Sequence, residues 1–307
     1  AHVTRQNSMV LLDGGMGQEL IKRSKHAVTP LWSTTVLRDE PALVTAVHAD
    51  YIKANARVIT LNNYSATPIR LGANGLANEF ESLHLAAIEA ARLSIAQTRP
   101  QHPVRVAGCL PPLVSSYHAS DVPSEDACLT DYRALVAAQI SGVDLFLCET
   151  LTTVREVETA TTAGVESGKP VWVGMTVDDQ DGTRLRSGES LADAVSASKA
   201  CGAAAVLINC SWPEAITQGL PVLAASGLPF GGYANGFTNA ASLVAGSTVA
   251  GLAVRRDLDP EAYAKHAMGW VAMGARIVGG CCEVGPAHIS HLSECLDQAG
   301  YALTAAL

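Results

Sequence analysis

Three cysteines stand where two predicted strands end, and their thiol groups could together bind a metal ion. The segment 275–282 reads as a buried strand that runs into Gly-Gly-Cys-Cys and ends on Cys281 and Cys282. A second apolar strand, 205–209, is followed directly by Cys210. Glycines at a strand end allow a tight turn, so that neighbouring thiols can face one point. Three thiolates leave one position of a tetrahedral zinc open, which is the form of a catalytic rather than a structural site.

The remaining cysteines are interpreted differently, because a lone cysteine is often a small buried apolar residue. Five of the eight cysteines lie within predicted strands and helices or beside them. They are Cys109, Cys128, Cys148, Cys201 and Cys295. A chain of 307 residues is too large to need disulfide bonds for its stability. We therefore expect reduced cysteines and a cytoplasmic location.

Only a fold that joins distant strand ends can bring Cys210 to the other two thiols. Apolar runs alternate with helical segments along the chain, and this pattern predicts eight strands, each followed by a helix. The strands are predicted at residues 9–12, 57–61, 104–108, 143–148, 171–175, 205–209, 229–233 and 276–278. Eight βα units predict an α/β fold that closes as a single (β/α)8 TIM-type barrel over residues 1–307. An open doubly wound sheet would more often carry a glycine-rich phosphate loop, whose spacing residues 13–17 do not match.

Composition excludes several classes of function. Hydrophobic residues make up 48% of the chain and charged residues 16%, enough for a large core. The formal net charge of −8 argues against nucleic acid as a partner. No apolar run approaches the length of a membrane span, and residues 1–9 lack the apolar core of a secretion signal.

In a barrel, the residues at the carboxyl ends of the strands all face one opening. Polar residues follow most of the predicted strands. They include Asp13, Asn62, Glu149, Thr176, Asn209, Tyr233 and Asn235. The two carboxylates have a simpler interpretation, because acidic residues often cap the helix that follows a strand. Aromatic residues such as Trp32, Tyr64 and Tyr233 commonly serve only to pack.

Six segments of the chain resemble the zinc-dependent homocysteine S-methyltransferases, which include enzymes that use betaine or S-methylmethionine. The matching segments span almost the whole chain in the family's order. They are residues 11–16, 31–33, 60 with 64–68, 148–151, 208–210 and 279–282. The resemblance implies a (β/α)8 barrel, a zinc cofactor and a role in methionine biosynthesis.

The resemblance also implies roles for individual residues. The family's zinc ligands correspond to Cys210, Cys281 and Cys282. Its homocysteine-binding carboxylates correspond to Asp13 and Glu149, which would hold the amino group.

Further substrate contacts are expected at the barrel opening. The tryptophan of the family's donor pocket corresponds to Trp32, and the tyrosine near its metal corresponds to Tyr64. We add Asn209, Tyr233 and Asn235 as substrate-binding residues, because they stand at the ends of the sixth and seventh strands. Aromatic faces favour a cationic donor.

The expected reaction moves a methyl group from a sulfonium or quaternary ammonium compound to the homocysteine thiolate on zinc, giving methionine. S-Methylmethionine, S-adenosylmethionine and betaine-like compounds all remain open as donors, and monomer and homodimer are both open. The transfer itself needs no general base. One alternative is a zinc hydrolase that activates water, with Glu149 as its base. Another is a scaffold protein with a structural zinc, although that would need a fourth protein ligand.

Overall fold

The computed structural model describes residues 7–245, 247 and 249–307 as alternating strands and helices. The strands are β1 (Ser8–Leu11), β2 (Val58–Thr60), β3 (Arg105–Leu110), β4 (Leu145–Leu151), β5 (Val171–Met175), β6 (Ala205–Asn209), β7 (Phe230–Ala234), β8 (Ile277–Gly280) and β9 (Ala302–Leu303). The helices are α1 (Gly17–Arg23), α2 (Trp32–Asp39), α3 (Pro41–Lys53), α4 (Pro68–Ala73), α5 (Phe80–Thr98), α6 (Glu125–Gln139), α7 (Val154–Glu166), α8 (Leu191–Ala200), α9 (Pro213–Ala224), α10 (Pro260–Ala272) and α11 (Pro286–Gln298).

Strands β1 to β8 form a closed parallel barrel, as predicted. The sheet runs in the order β2-β3-β4-β5-β6-β7-β8-β1-β9, with parallel pairing throughout. A parallel bridge between Leu12 and Val58 closes the circle, because it joins the end of β1 to β2. Backbone hydrogen bonds from Arg57 to Leu11 (2.8 Å) and from Asp13 to Val58 (3.2 Å) support the same closure.

Two layers of apolar residues stabilise this barrel. The larger layer packs the helices against the outside of the strands and includes Val173, Ile208 and Trp270. The smaller layer fills the barrel interior, where Trp172 and Leu207 are buried. Side chains along a strand alternate between the two layers, which explains why the strands read as continuous apolar runs.

Most elements lie where the sequence predicts them, within a few residues. The range of β5 agrees with the prediction, and α7 begins with a capping box formed by Thr153 and Glu156. The sequence prediction missed α1, α2, α4 and the short β9. Trp32 begins α2.

Two further predictions bear on the whole chain. Among the described residues, none of the helices is long and apolar enough to cross a membrane. Residues 1–6, part of the segment expected to lack a secretion signal, lie outside the described part of the chain.

Candidate functional site

A cavity of about 520 Å³ opens at the carboxyl ends of the strands. Its described walls include the three clustered cysteines, two carboxylates and a group of aromatic side chains. Those named in the sequence prediction are Asp13, Trp32, Asn62, Tyr64, Glu149, Cys210, Tyr233, Cys281 and Cys282. The fold thus brings most of the predicted site residues to one place.

The cysteine cluster forms at the ends of β6 and β8. The sulfur atoms of Cys210, Cys281 and Cys282 all lie within 4.8 Å of one another. Cys210 is buried and adopts a left-handed backbone conformation with φ +47°, which turns the chain directly after β6. Cys210 and Cys281 are joined as a disulfide, with their Cα atoms 5.8 Å apart. The prediction that the cysteines are reduced did not anticipate this bond, which joins two thiols that the fold brings into contact.

Strand β7 lies between β6 and β8, and its backbone holds both ends of the cluster. The amide of Cys210 donates to the carbonyl of Tyr233 (3.1 Å), and the amide of Cys281 donates to the carbonyl of Ala234 (2.9 Å). The carbonyl of Cys282 accepts from Gly236, one turn beyond the strand (2.9 Å). The thiols therefore meet because three adjacent strands end at the same level.

The two glycines before the cysteine pair are required by close packing. A Cβ atom on Gly280 would collide with the side chain of Val284, and one on Gly279 would collide with Leu12. Glycine lacks this atom, so the chain can approach both neighbours and turn. The Gly-Gly-Cys-Cys run thus allows the turn that the sequence interpretation required.

Arg186, which no sequence pattern singled out, contacts the backbone of the cysteine cluster. Its guanidinium donates to the carbonyl oxygen of Cys210 (3.0 Å) and forms a buried ion pair with Asp179 (3.3 Å). The hydroxyl of Thr176 donates to the same carbonyl (3.0 Å). These bonds fix the backbone of Cys210 in its left-handed turn.

The donor set fits a metal ion that prefers sulfur. A tetrahedral zinc with Zn–S distances of about 2.3 Å needs its sulfurs about 3.8 Å apart. The three sulfurs lie within 4.8 Å of one another, so the cluster is compact enough for such an ion. Burial raises the pKa of the Cys282 thiol to about 12, so this thiol needs a nearby cation to ionise at neutral pH. A metal ion would supply that charge.

Asp13 and Glu149 form a buried acidic pair in the cavity wall. Burial raises the pKa of Asp13 to about 8, although a hydrogen bond from the amide of Thr60 (3.0 Å) opposes the shift. Glu149 adds to the increase through its negative charge, and burial raises its own pKa as well. Both carboxylates would therefore be stabilised by a cationic ligand placed between them.

Two neighbours orient Glu149. The hydroxyl of Tyr233 donates to one carboxylate oxygen (3.0 Å), and the thiol of Cys109 donates to the other (3.1 Å). Burial raises the pKa of Cys109 well above its usual range, so this residue stays a thiol. Cys109 is buried, as expected, but its interpretation as a purely apolar residue is corrected by this contact.

Aromatic side chains line the rest of the cavity. The hydroxyls of Tyr64 and Ser116 share a hydrogen bond (2.7 Å), which fixes one tyrosine ring against the loop after β3. Trp32 is buried at the start of α2, and Tyr117 lies beneath the guanidinium of Arg186. Tyr117 and Arg186 had not been predicted, because neither follows a strand directly.

Two predicted substrate contacts are placed elsewhere. The side-chain amide oxygen of Asn209 accepts from the backbone amide of Thr150 (2.9 Å), and its nitrogen donates to the hydroxyl of the same residue (3.0 Å), so Asn209 holds the end of β4. Asn235 is fully buried and accepts from the amide of Phe237 (3.3 Å). Neither asparagine is among the described residues that line the cavity. Strand-end position alone did not show which way these side chains point.

Comparisons with known proteins agree with this geometry. Residues 10–296 match the family model described as homocysteine S-methyltransferase. The homocysteine S-methyltransferase of Escherichia coli (strain K12) is 31% identical over 94% of this chain and 95% of its own length. Crystal structures of the Escherichia coli homocysteine methyltransferase MmuM also superpose on the chain. Its metallated form has a TM-score of 0.79 at 29% identity, covering 94% of this chain and 96% of its own. Its oxidized form has a TM-score of 0.78 at 28% identity, covering 93% of this chain and 95% of its own.

Proposed function

The chain belongs to the homocysteine S-methyltransferase family, and from that premise we propose that it uses a cysteine-bound zinc and an onium methyl donor. It is an enzyme that transfers a methyl group to homocysteine and gives methionine. The observation that carries the proposal is the cluster of three thiols beside a buried acidic pair in one cavity.

Cys210, Cys281 and Cys282 are the proposed zinc ligands. Zinc held by three thiolates would leave a fourth position for the homocysteine sulfur and would keep that sulfur a thiolate at neutral pH. The disulfide between Cys210 and Cys281 must be reduced before both can act as ligands. Arg186 and the glycine turn then serve to keep the three sulfurs together.

Asp13 and Glu149 are proposed to bind the ammonium group of homocysteine. Their raised pKa values mean that the binding of a cation is coupled to loss of a proton. Tyr233 and Cys109 both donate to Glu149, so its carboxylate is held in place as it ionises. This pair would therefore orient the amino acid without taking part in the methyl transfer itself.

The methyl donor is proposed to enter along the aromatic wall formed by Trp32 and Tyr64. Aromatic faces attract sulfonium and quaternary ammonium groups. The thiolate sulfur forms a bond to the methyl carbon as the bond from that carbon to the onium atom breaks. The electron pair of the broken bond neutralises the onium centre, and no proton moves in this step. The transfer needs no general base, so Asp13 and Glu149 are free to bind the amino group in this proposal.

A donor screen tests the proposal. Reduced, zinc-loaded protein would be incubated with homocysteine and with S-methylmethionine, S-adenosylmethionine or betaine, and methionine would be measured. We expect methionine from at least one donor, and loss of the product in Cys282→Ser. Methionine formation that persists after complete metal removal would contradict the proposal. The zinc hydrolase hypothesis is not supported by the family match. The cytoplasmic location and the oligomeric state stay predictions.

A further inference from the structure

Arg70 is a cation in the cavity wall for which the proposed reaction has no role so far. It lies on the short helix α4 and is the only basic residue among the described residues that line the cavity. The other ionisable groups there are the carboxylates of Asp13, Glu149 and Asp121, together with thiols and tyrosines. A carboxylate on a substrate would therefore have a single cationic partner in this cavity.

The guanidinium of Arg70 is held in place but lacks an acidic partner. One nitrogen donates to the carbonyl of Pro112 (2.9 Å), and the group stacks over the ring of Tyr64 at 5.3 Å from its centre. The Nε atom has no hydrogen-bond partner among the described residues. Burial lowers the pKa of Arg70, and the surrounding groups that oppose the shift do not offset it.

A buried carboxylate whose charge acts on Arg70 is engaged elsewhere. Glu156 belongs to the capping box of α7, where its Oε1 atom accepts from the amides of Thr152 (2.9 Å) and Thr153 (3.0 Å). No ion pair between Glu156 and Arg70 forms in the described part of the chain. The planar guanidinium therefore keeps donors that can bind a carboxylate, its preferred partner.

The position of α4 indicates which substrate brings that carboxylate. Ala73 and Asn74, one turn beyond Arg70, are exposed to solvent and also line the cavity. Arg70 lies one turn inside this exposed rim of the cavity, whereas the thiols and Asp13 lie at the strand ends. Homocysteine must occupy the inner end, because its sulfur joins the cysteine cluster. The methyl donor must reach that sulfur from the outer end.

We propose that Arg70 binds the carboxylate of the methyl donor and selects onium donors that carry such a group. The proposal rests on the proposed function. Arg70 would fix the anionic end of the donor while the aromatic wall holds its cationic end. A donor of the same shape without a carboxylate would leave the half-buried guanidinium of Arg70 without an acidic partner, and supplying that partner is what favours the carboxylate-bearing donor.

The test compares two sulfonium compounds that differ only in the carboxylate. These are S-methylmethionine and (3-aminopropyl)dimethylsulfonium; betaine and choline form a second pair with an ammonium centre. For each donor, kcat/KM would be measured at saturating homocysteine, and the KM of homocysteine at saturating donor. Isothermal titration of each donor would give binding independently of turnover.

We expect Arg70→Gln to lower kcat/KM for the carboxylate-bearing donor by about ten- to a hundredfold, the worth of a hydrogen-bonded charge. The carboxylate-free donor and the KM of homocysteine should change by less than about twofold. Arg70→Lys should recover part of the loss, because it keeps the charge but not the planar fork. Arg133→Gln, at an exposed arginine that pairs with Glu166 on the outer helices, is the matched control.

Three outcomes would overturn the assignment. Equal losses for both members of a pair would mean that Arg70 does not contact the carboxylate. A rise confined to the KM of homocysteine would assign Arg70 to the thiol substrate instead. Equal kcat/KM values of the wild-type protein for both members of a pair would show that it does not select donors with a carboxylate. This result does not depend on whether the variants fold. Wild-type protein that forms no methionine from any donor would refute the proposed function itself.

Discussion

The contribution of Asp13 to homocysteine binding should increase with pH. Burial raises the pKa of this carboxyl group to about 8, so it is mostly protonated at pH 7 and mostly ionised at pH 8.5. The ammonium group of homocysteine is bound most strongly by the ionised form. Binding at pH 7 must therefore first remove a proton from Asp13, and this cost disappears as the pH rises.

The size of the effect follows from the pKa. Ionising a group of pKa 8 costs about 1.4 kcal/mol at pH 7 and about 0.2 kcal/mol at pH 8.5. A hydrogen bond to a charged partner contributes about 1.5–3 kcal/mol. The net contribution of Asp13 is then about 0.1–1.6 kcal/mol at pH 7 and about 1.3–2.8 kcal/mol at pH 8.5. The difference of about 1.2 kcal/mol corresponds to about eightfold in affinity.

Isothermal titration of homocysteine into reduced, zinc-loaded protein would measure this difference. The quantity of interest is the ratio of Kd values for Asp13→Asn and wild type, because ionisation of homocysteine itself cancels in the ratio. We expect the ratio to grow about eightfold between pH 7 and pH 8.5. Asp121→Asn, which alters another carboxylate of the same cavity, should give a ratio near one at both values. A ratio for Asp13→Asn that stays constant or falls with pH would refute the reasoning.

Further predictions concern the cluster and the fold. Cys282→Ser should abolish methyl transfer, whereas Cys295→Ser on the last helix should keep a near-normal kcat. If the two variants had the same kcat, Cys282 would not be a ligand. Arg186→Met should weaken zinc binding by about ten- to a hundredfold in a chelator competition, because the carbonyl of Cys210 loses its donor; unchanged affinity would show that Arg186 does not position it. Burial lowers the pKa of His48 to about 4, so this residue binds more protons when unfolded, and its contribution falls as the pH drops below 6.5. Urea titrations at pH 7 and pH 5 would measure this loss of unfolding free energy. We expect the decrease between the two pH values to be about 2 kcal/mol smaller in His48→Leu than in wild type. The exposed His102 is the control, and His102→Gln should show the same decrease as wild type.

The barrel was predictable because its signals are local. Residues 171–175 form an apolar run bounded by Pro170 and a polar segment, and a strand is the only element that such a short run can form between two helices. The capping box at Thr153 and Glu156 likewise depends on residues three apart. The position of Cys210 at the end of β6 followed from the same local pattern. Helix α2 was missed because its starting residue, Trp32, gave no cap signal, and its N-terminus has no side-chain cap.

The orientation of side chains in the site could not be read from the sequence. Asn209 stands at a strand end beside a cysteine, but the strand turns its amide away toward Thr150. Cys109 faces Glu149 across neighbouring strands, a contact that depends on the register between β3 and β4. Arg186 reaches Cys210 from a loop far away in sequence. Each of these contacts is set by tertiary geometry, which leaves no local pattern.

X-ray absorption at the zinc edge tests the central claim most directly. The protein would be reduced, loaded with one equivalent of zinc, and measured with and without homocysteine. Three cysteine ligands and an open position predict about three sulfur neighbours without homocysteine and about four with it, at about 2.3 Å. Fewer than three sulfur neighbours, or no added sulfur when homocysteine is bound, would contradict the account.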